Sequence, residues 1–188
     1  MRRIAVVEDN ADNRLLVEAI LDGRYALAEY ADFECPFCGQ AYPIVEELLA
    51  QYPEQVRHVF RHFPLAQAHP HAQAAAEAAE AAGAQGKFWE MHDTLFENQD
   101  ALDGESLLAY ARELDLDLGR FQRELVMRVH APRVREDFLS GVRSGVNGTP
   151  TFFINGRRHD GAWDVQSLAA AVELAMDEER PIRARRRT

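Results

Sequence analysis

Two cysteines, Cys35 and Cys38, stand where a strand-like run of residues gives way to a helical one, and the chain has no others. Upstream, residues 25–31 carry a β pattern. Downstream, Ala41, Ile44, Val45, Leu48, Leu49 and Tyr52 recur at i, i+3, i+4, i+7 and i+8, the spacing of a helix with one apolar face. Pro36 suits the first turn, where its missing N–H costs nothing. Pro43 lies deeper and predicts a kink. At i and i+3 both sulfurs lie on one side of the first turn and can close a small disulfide without backbone movement. Unpaired N–H groups and the positive end of the helix dipole favour a thiolate at Cys35. Cys35 is therefore expected to be the exposed nucleophile, and Cys38, one turn in, the thiol that resolves a mixed disulfide.

A structural zinc site needs about four ligands. His58, His62, His69, His71 and His92 are available, but none has a ligand spacing to the cysteines, so no metal and no cofactor is expected. Two incidental core cysteines fit poorly with Cys-Pro-Phe-Cys at a strand-to-helix junction. A net charge of −10 argues against a general nucleic-acid binder. No apolar run approaches the roughly 20 residues that span a bilayer. After Met1-Arg2-Arg3, only Ile4-Ala5-Val6-Val7 precedes Glu8-Asp9, too short for a signal-peptide core. The expectation is a cytoplasmic protein, in a compartment where structural disulfides are uncommon.

Taken in order, residues 4–7 predict a strand, 12–21 a helix ended by Asp22-Gly23, and 25–31 a second strand. A βαβ unit of this kind makes a right-handed crossover. Residues 56–63 predict a third strand, closed by Pro64. From 65 to 146 the pattern is helical throughout, with an alanine-rich helix at 70–82 ended by Gly83. Residues 151–154 form a strand, and Asn155-Gly156 is a two-residue hairpin turn that brings 157–159 back antiparallel. Val165, Leu168, Ala169, Val172 and Met176 mark a last helix, and residues 179–188, rich in arginine, predict a disordered basic tail. The fold class is α/β, a mixed sheet flanked by helices. Residues 1–64 and 147–178 form the sheet domain, and 65–146 a helical insertion between the third strand and the strand that follows Pro150.

Cys35-Pro36-Phe37-Cys38 after a strand, the helical insertion, and Gly148-Thr149-Pro150-Thr151-Phe152-Phe153-Ile154-Asn155-Gly156 together resemble the DsbA-like branch of the thioredoxin superfamily. Phe60-Arg61-His62-Phe63-Pro64 and Gly86-Lys87-Phe88-Trp89-Glu90-Met91-His92 add to the likeness, which runs from about 25 to 176. The resemblance implies a thioredoxin-like fold and a thiol–disulfide oxidoreductase. Its substrates would be protein thiols and disulfides, served by a redox partner. Cys35 and Cys38 match the redox pair. Pro150 matches a cis-proline that docks substrate backbone, and an X-Pro bond opening a strand is a natural cis site. Thr149, Pro36 and Phe37 flank the pair on the substrate side. Glu29 matches a buried acid that passes protons to and from the second cysteine; facing solvent on an alternating strand is its other reading. His92, on an apolar helix face, is expected to be a core histidine, and Trp89 and Trp163 packing residues. Asp32 and Glu34 oppose a thiolate if their charges lie close, and Phe37 supplies no imidazolium. The potential thus falls anywhere between about −120 and −270 mV, and oxidase and reductase both stay open.

The start is different. Residues 3–14 resemble the opening of a CheY-like response-regulator receiver, with Glu8 and Asp9 at the positions of its magnesium-binding acids. The likeness covers residues 1 to about 31 and implies a chimera. A receiver needs a phosphate-accepting Asp after its third strand, where this chain has Arg-His-Phe-Pro. Besides exchange chemistry, two other functions remain: a signalling module using this start, and a glutathione-dependent transferase or binding domain. Two cysteines, where related transferases keep one serine or cysteine, weigh against the last.

Overall fold

The computed structural model describes residues 25–185. The strand and helix expected at 4–7 and 12–21, the receiver-like acids Glu8 and Asp9, and the start of the chimera reading lie outside the described residues.

Among the described residues, four strands make one mixed sheet: β1 (Tyr25–Ala31), β2 (Val56–His62), β3 (Thr151–Ile154) and β4 (Arg157–His159), in the order β2-β1-β3-β4. Tyr25 N–H donates to Gln55 O at the start of β1 and Phe63 N–H to Ala31 O at its end, so β1 and β2 run parallel. β3 runs the other way. Asn155 at its end donates its N–H to Ala26 O, and Asn155 Oδ1 accepts from Ala26 N–H, both at 2.9 Å. Asn155 (φ 48°) and Gly156 (φ 79°) are left-handed. This is the conformation a tight hairpin requires at both central residues, and β4 returns with Phe152 opposite His159.

Seven helices are described: α1 (Pro36–Gln51), α2 (Ala72–Gly83), α3 (Phe88–Glu97), α4 (Gly104–Glu113), α5 (Leu118–Val126), α6 (Ala131–Arg143) and α7 (Val165–Arg185). Between β2 and β3 the described elements are all helical, as the periodicity predicts. Pro43 lies within a helix that continues past it to Gln51. α7 continues to Arg185, beyond residue 178, where the sequence reading placed the start of a disordered tail. Glu179, Arg180, Arg183, Ala184 and Arg185 favour helix, while Pro181 within this stretch does not.

The chain divides into two compact units. One contains β1 up to Glu29, Ala41–Val59 and the chain from Thr151. Its core joins Leu27, Val45, Leu48, Val56, Phe152, Ile154, Leu168 and Val172, with Trp163 and Met176 packed against them. Each fully buried side chain of this kind contributes about 1.5–3 kcal/mol. The other contains Tyr30–Gln40 and Phe60–Pro150. Its centre is aromatic: Phe33 stacks on Phe60 (centroids 5.1 Å), and Phe96 and His92 close in at 4.9 and 5.7 Å. His92 is a buried member of this cluster, bonded to Asp93.

A charged network lies in the same unit. Arg61 Nη1 donates to Asp137 Oδ1 at 2.7 Å, Arg133 Nη2 approaches the same oxygen at 3.0 Å, and His62 Nε2 meets Glu80 Oε1 at 3.0 Å. His62, Glu80 and Asp137 are near enough to one another to share a metal ion. Their carboxylates are already opposed by two arginines, so the arrangement balances its charge with protein groups alone.

Candidate active site

β1 ends at Ala31, and Asp32-Phe33-Glu34 turns the chain into α1. Asp32 makes the turn: its Oδ1 accepts from Glu34 N–H at 2.8 Å and its carbonyl from Cys35 N–H at 3.1 Å, a side-chain-to-backbone turn of the kind aspartate favours. Phe33, 1% exposed, fixes the turn to the aromatic cluster. Gln99, following α3, secures it from outside. Its Nε2 donates to Phe33 O at 2.7 Å and to Cys35 O at 3.0 Å.

The turn sets both cysteines, as free thiols, at the start of α1: Cys35 immediately precedes the helix and Cys38 lies in its first turn. Cys35 Sγ lies 3.5 Å from Thr149 O, and Cys38 Sγ accepts from Asp32 N–H at 3.5 Å. The Thr149–Pro150 peptide is cis. Cys35, Cys38, Thr149 and Pro150 thus belong to one unit and come together there. The expectation of an exposed nucleophile is corrected: Cys35 is 3% exposed and Cys38 fully buried, because the loop carrying Thr149 lies over the sulfur. Phe37 between them is 57% exposed, and Pro36 is exposed as well.

The Cys35 thiol is lowered from 9.0 to about 5. The hydrogen bond from Cys38 is the main cause. Burial opposes it, while Thr149 and the N–H groups of Cys38 and Phe37 add to the lowering. These N–H groups are the unpaired donors of a helix start, which favour a thiolate over a thiol.

Glu29 lies on β1, in the other unit. It is 2% exposed and its Oε2 is 2.9 Å from His58 Nε2 on β2, so the solvent-facing reading is set aside. Sequence reasoning missed His58 as this partner. It also missed Gln99 and the pairing of Asp32 and Glu34 with His69 and His71. The one available signal was two acids at i and i+2 before the cysteines and two histidines at i and i+2 after β2.

A helix-start dithiol beside a cis-proline loop, on a mixed α/β sheet, defines a redox-active α/β protein. The chain belongs to the thioredoxin family, which residues 22–174 match. It is similar to the Na(+)/H(+) antiporter NhaA 3 of Salinispora tropica, 56% identical over 149 residues that make up 79% of this chain and 23% of the antiporter. The chain thus spans about a quarter of the length of the curated relatives it matches. Among solved structures it is similar to a thioredoxin-like oxidoreductase from Silicibacter pomeroyi DSS-3, with 28% identity and a TM-score of 0.70 over 83% of this chain and 88% of that one. BdbD from Bacillus subtilis in its oxidised form, at 20% identity and a TM-score of 0.72 over 81% and 87% of the two chains, shares the fold. The fold is thioredoxin-like, and with the Cys35–Cys38 pair these likenesses support a general oxidoreductase role. Among the described residues, no helix is long and apolar enough to cross a membrane.

Proposed function

We propose that the chain exchanges a Cys35–Cys38 disulfide with the thiols of protein substrates, chiefly as a disulfide donor. A thiol lowered to about 5, with a second thiol one turn into the same helix, carries this reading. In the donating direction a substrate thiolate attacks Cys35 Sγ. The Cys35–Cys38 bond breaks, a substrate–Cys35 disulfide forms, and Cys38 leaves as a thiolate that takes up a proton. A second substrate thiolate then attacks the substrate sulfur, and Cys35 leaves as a stabilised thiolate. The substrate is oxidised by two electrons and the pair reduced by two. A redox partner restores the disulfide.

Glu29 is the proposed proton donor to Cys38 and its acceptor in the reverse direction. Its support is burial beside a single histidine, on the strand that leads into the dithiol turn. Phe37, exposed between the cysteines, offers an apolar contact to substrate, and Pro36, Thr149 and Pro150 are the proposed docking residues around it. A glutathione transferase reading needs one thiol, and the close approach of Cys38 to Cys35 favours exchange. Ion transport stays with the antiporters that bear it in their names.

A low nucleophile pKa stabilises the reduced form and raises the reduction potential. In glutathione buffers the pair is expected to equilibrate closer to about −120 than −270 mV. Cys35→Ser should abolish disulfide transfer to a reduced protein, and Cys38→Ser should trap a mixed disulfide on Cys35. Transfer undiminished in Cys35→Ser removes the proposal.

A further inference from the structure

Two carboxylates sit in the turn just before Cys35, where their charges alone would oppose a thiolate. Each meets a histidine. Asp32 Oδ2 is 2.7 Å from His69 Nδ1, and Glu34 Oε1 is 2.9 Å from His71 Nδ1. The equal two-residue spacing on both segments sets the pairs side by side, with Pro70 between the histidines. The pairs differ in depth. The Asp32 side chain is 0% exposed and that of His69 18%, against 19% and 47% for Glu34 and His71. Solvent and salt screen the outer pair more strongly.

Asp32 also accepts from Leu65 N–H at 2.8 Å and Glu34 N–H at 2.8 Å, so its carboxylate is fixed in place. Its own N–H reaches Cys38 Sγ. One residue therefore touches His69 on one side and the dithiol on the other. We propose that His69, acting through Asp32, is a positioning residue whose charge sets the reactivity of the dithiol. Protonated, it cancels Asp32 and favours the Cys35 thiolate; neutral, it leaves the carboxylate charge uncancelled in the turn that carries that thiolate. The proposal rests on Cys35 as the nucleophile.

The ionisable groups acting on His69 are Asp32, Cys35 and Glu34; His71, two residues along its own segment, is paired with Glu34. Burial lowers the pKa of His69. The bond and charge of Asp32 outweigh that, Cys35 and Glu34 add to it, and the result is raised above 6.5. Coupling is reciprocal: if a Cys35 thiolate helps His69 hold its proton, protonated His69 must favour the thiolate equally. The help is present below the raised His69 pKa and is lost as pH rises through it.

The test needs no variant at first. By NMR, His69 should titrate at a lower pH in the disulfide form, where the thiolate is gone, than in the dithiol form. Equal titrations overturn the proposal. His69→Asn keeps a donor for Asp32 without a titratable charge, and His69→Lys carries a fixed one. Followed by thiolate absorbance, His69→Asn should lower the thiolate fraction on the acid limb roughly three- to tenfold, up to one pKa unit, and His69→Lys should restore it. Both should lose the pH dependence that His69 adds to the reduction potential. An unchanged titration in His69→Asn, or His69→Lys behaving like His69→Asn, leaves His69 a structural residue only. A wild-type protein that forms no mixed disulfide with glutathione defeats the exchange reading separately, since the titrations can still be read.

Discussion

Gly39 shows how closely the dithiol turn is held. A Cβ there would fall on Gln99 Oε1 and lie 2.7 Å from Gln99 Cδ. Gln99 in turn binds the carbonyls of Phe33 and Cys35. Gly39→Ala should displace Gln99 and cost up to about 2 kcal/mol: the about 1–3 kcal/mol of two ordinary hydrogen bonds, less the roughly 1 kcal/mol by which alanine is the better helix former. Gln99→Ala should lose those bonds directly. With Gln99 already truncated, the three atoms nearest the new methyl are gone, and Gly39→Ala should become neutral or stabilising. Urea unfolding of the two single variants and the double variant measures the coupling; additive costs refute the clamp. None of this is legible in sequence. Gln99 lies 64 residues from Cys35, and nothing local marks it among the chain's other amides.

At the scale of elements, the network of Arg61, Asp137, Arg133, Glu80 and His62 ties the end of β2 to α2 and α6. α6 leads into the loop that carries Thr149 over Cys35. Removing one partner of a buried ion pair costs about 3–5 kcal/mol, because the other charge is left without compensation. Asp137→Ala is expected to fall in that range by urea unfolding, since Arg61 and Asp137 are 4% and 1% exposed. Glu80 supplies a pH signature. Burial raises its pKa, but His62, Arg133 and His130 outweigh burial and hold it below 4.5. A depressed carboxylate stabilises the fold above its unfolded value and loses that contribution as pH falls through its folded value. Stability should therefore decline below about pH 4.5, and less steeply in Glu80→Gln; equal slopes discount the pair. The helices themselves were legible, because apolar residues at 3.6-residue spacing mark a buried face. So was the hairpin, because Asn155-Gly156 supplies two left-handed residues. Which acid meets which base was not, since tertiary placement decides it: His62 and Glu80 are 18 residues apart, and Arg61 and Asp137 are 76 apart.

For the molecule as a whole, the same thiol that performs the chemistry should set the stability of its two redox forms. The sequence located the dithiol and the Pro150 loop, since both are local patterns that survive without tertiary information. It misjudged the burial of Cys35, which depends on a loop 114 residues away. The lowered pKa has a global consequence. In the dithiol form a group at about 5 when folded and 9.0 when unfolded adds about 1.4 kcal/mol of stability per pH unit between those values and none below. In the disulfide form no thiolate exists, but closing a four-residue loop restrains the unfolded chain by about 2 kcal/mol. The disulfide form should be the more stable near pH 5, and the dithiol form at pH 8. The two should cross at roughly pH 6.5, where the thiolate gain equals the loop term. Urea unfolding of both forms from pH 5 to 9 tests this. Reduction, oxidation and unfolding close a thermodynamic cycle, so the excess stability of the dithiol form equals the excess of the folded pair's potential over that of the unfolded one, about 30 mV for each 1.4 kcal/mol. A disulfide form more stable at every pH would mean that folding favours the disulfide, and the chain would then act as a reductant.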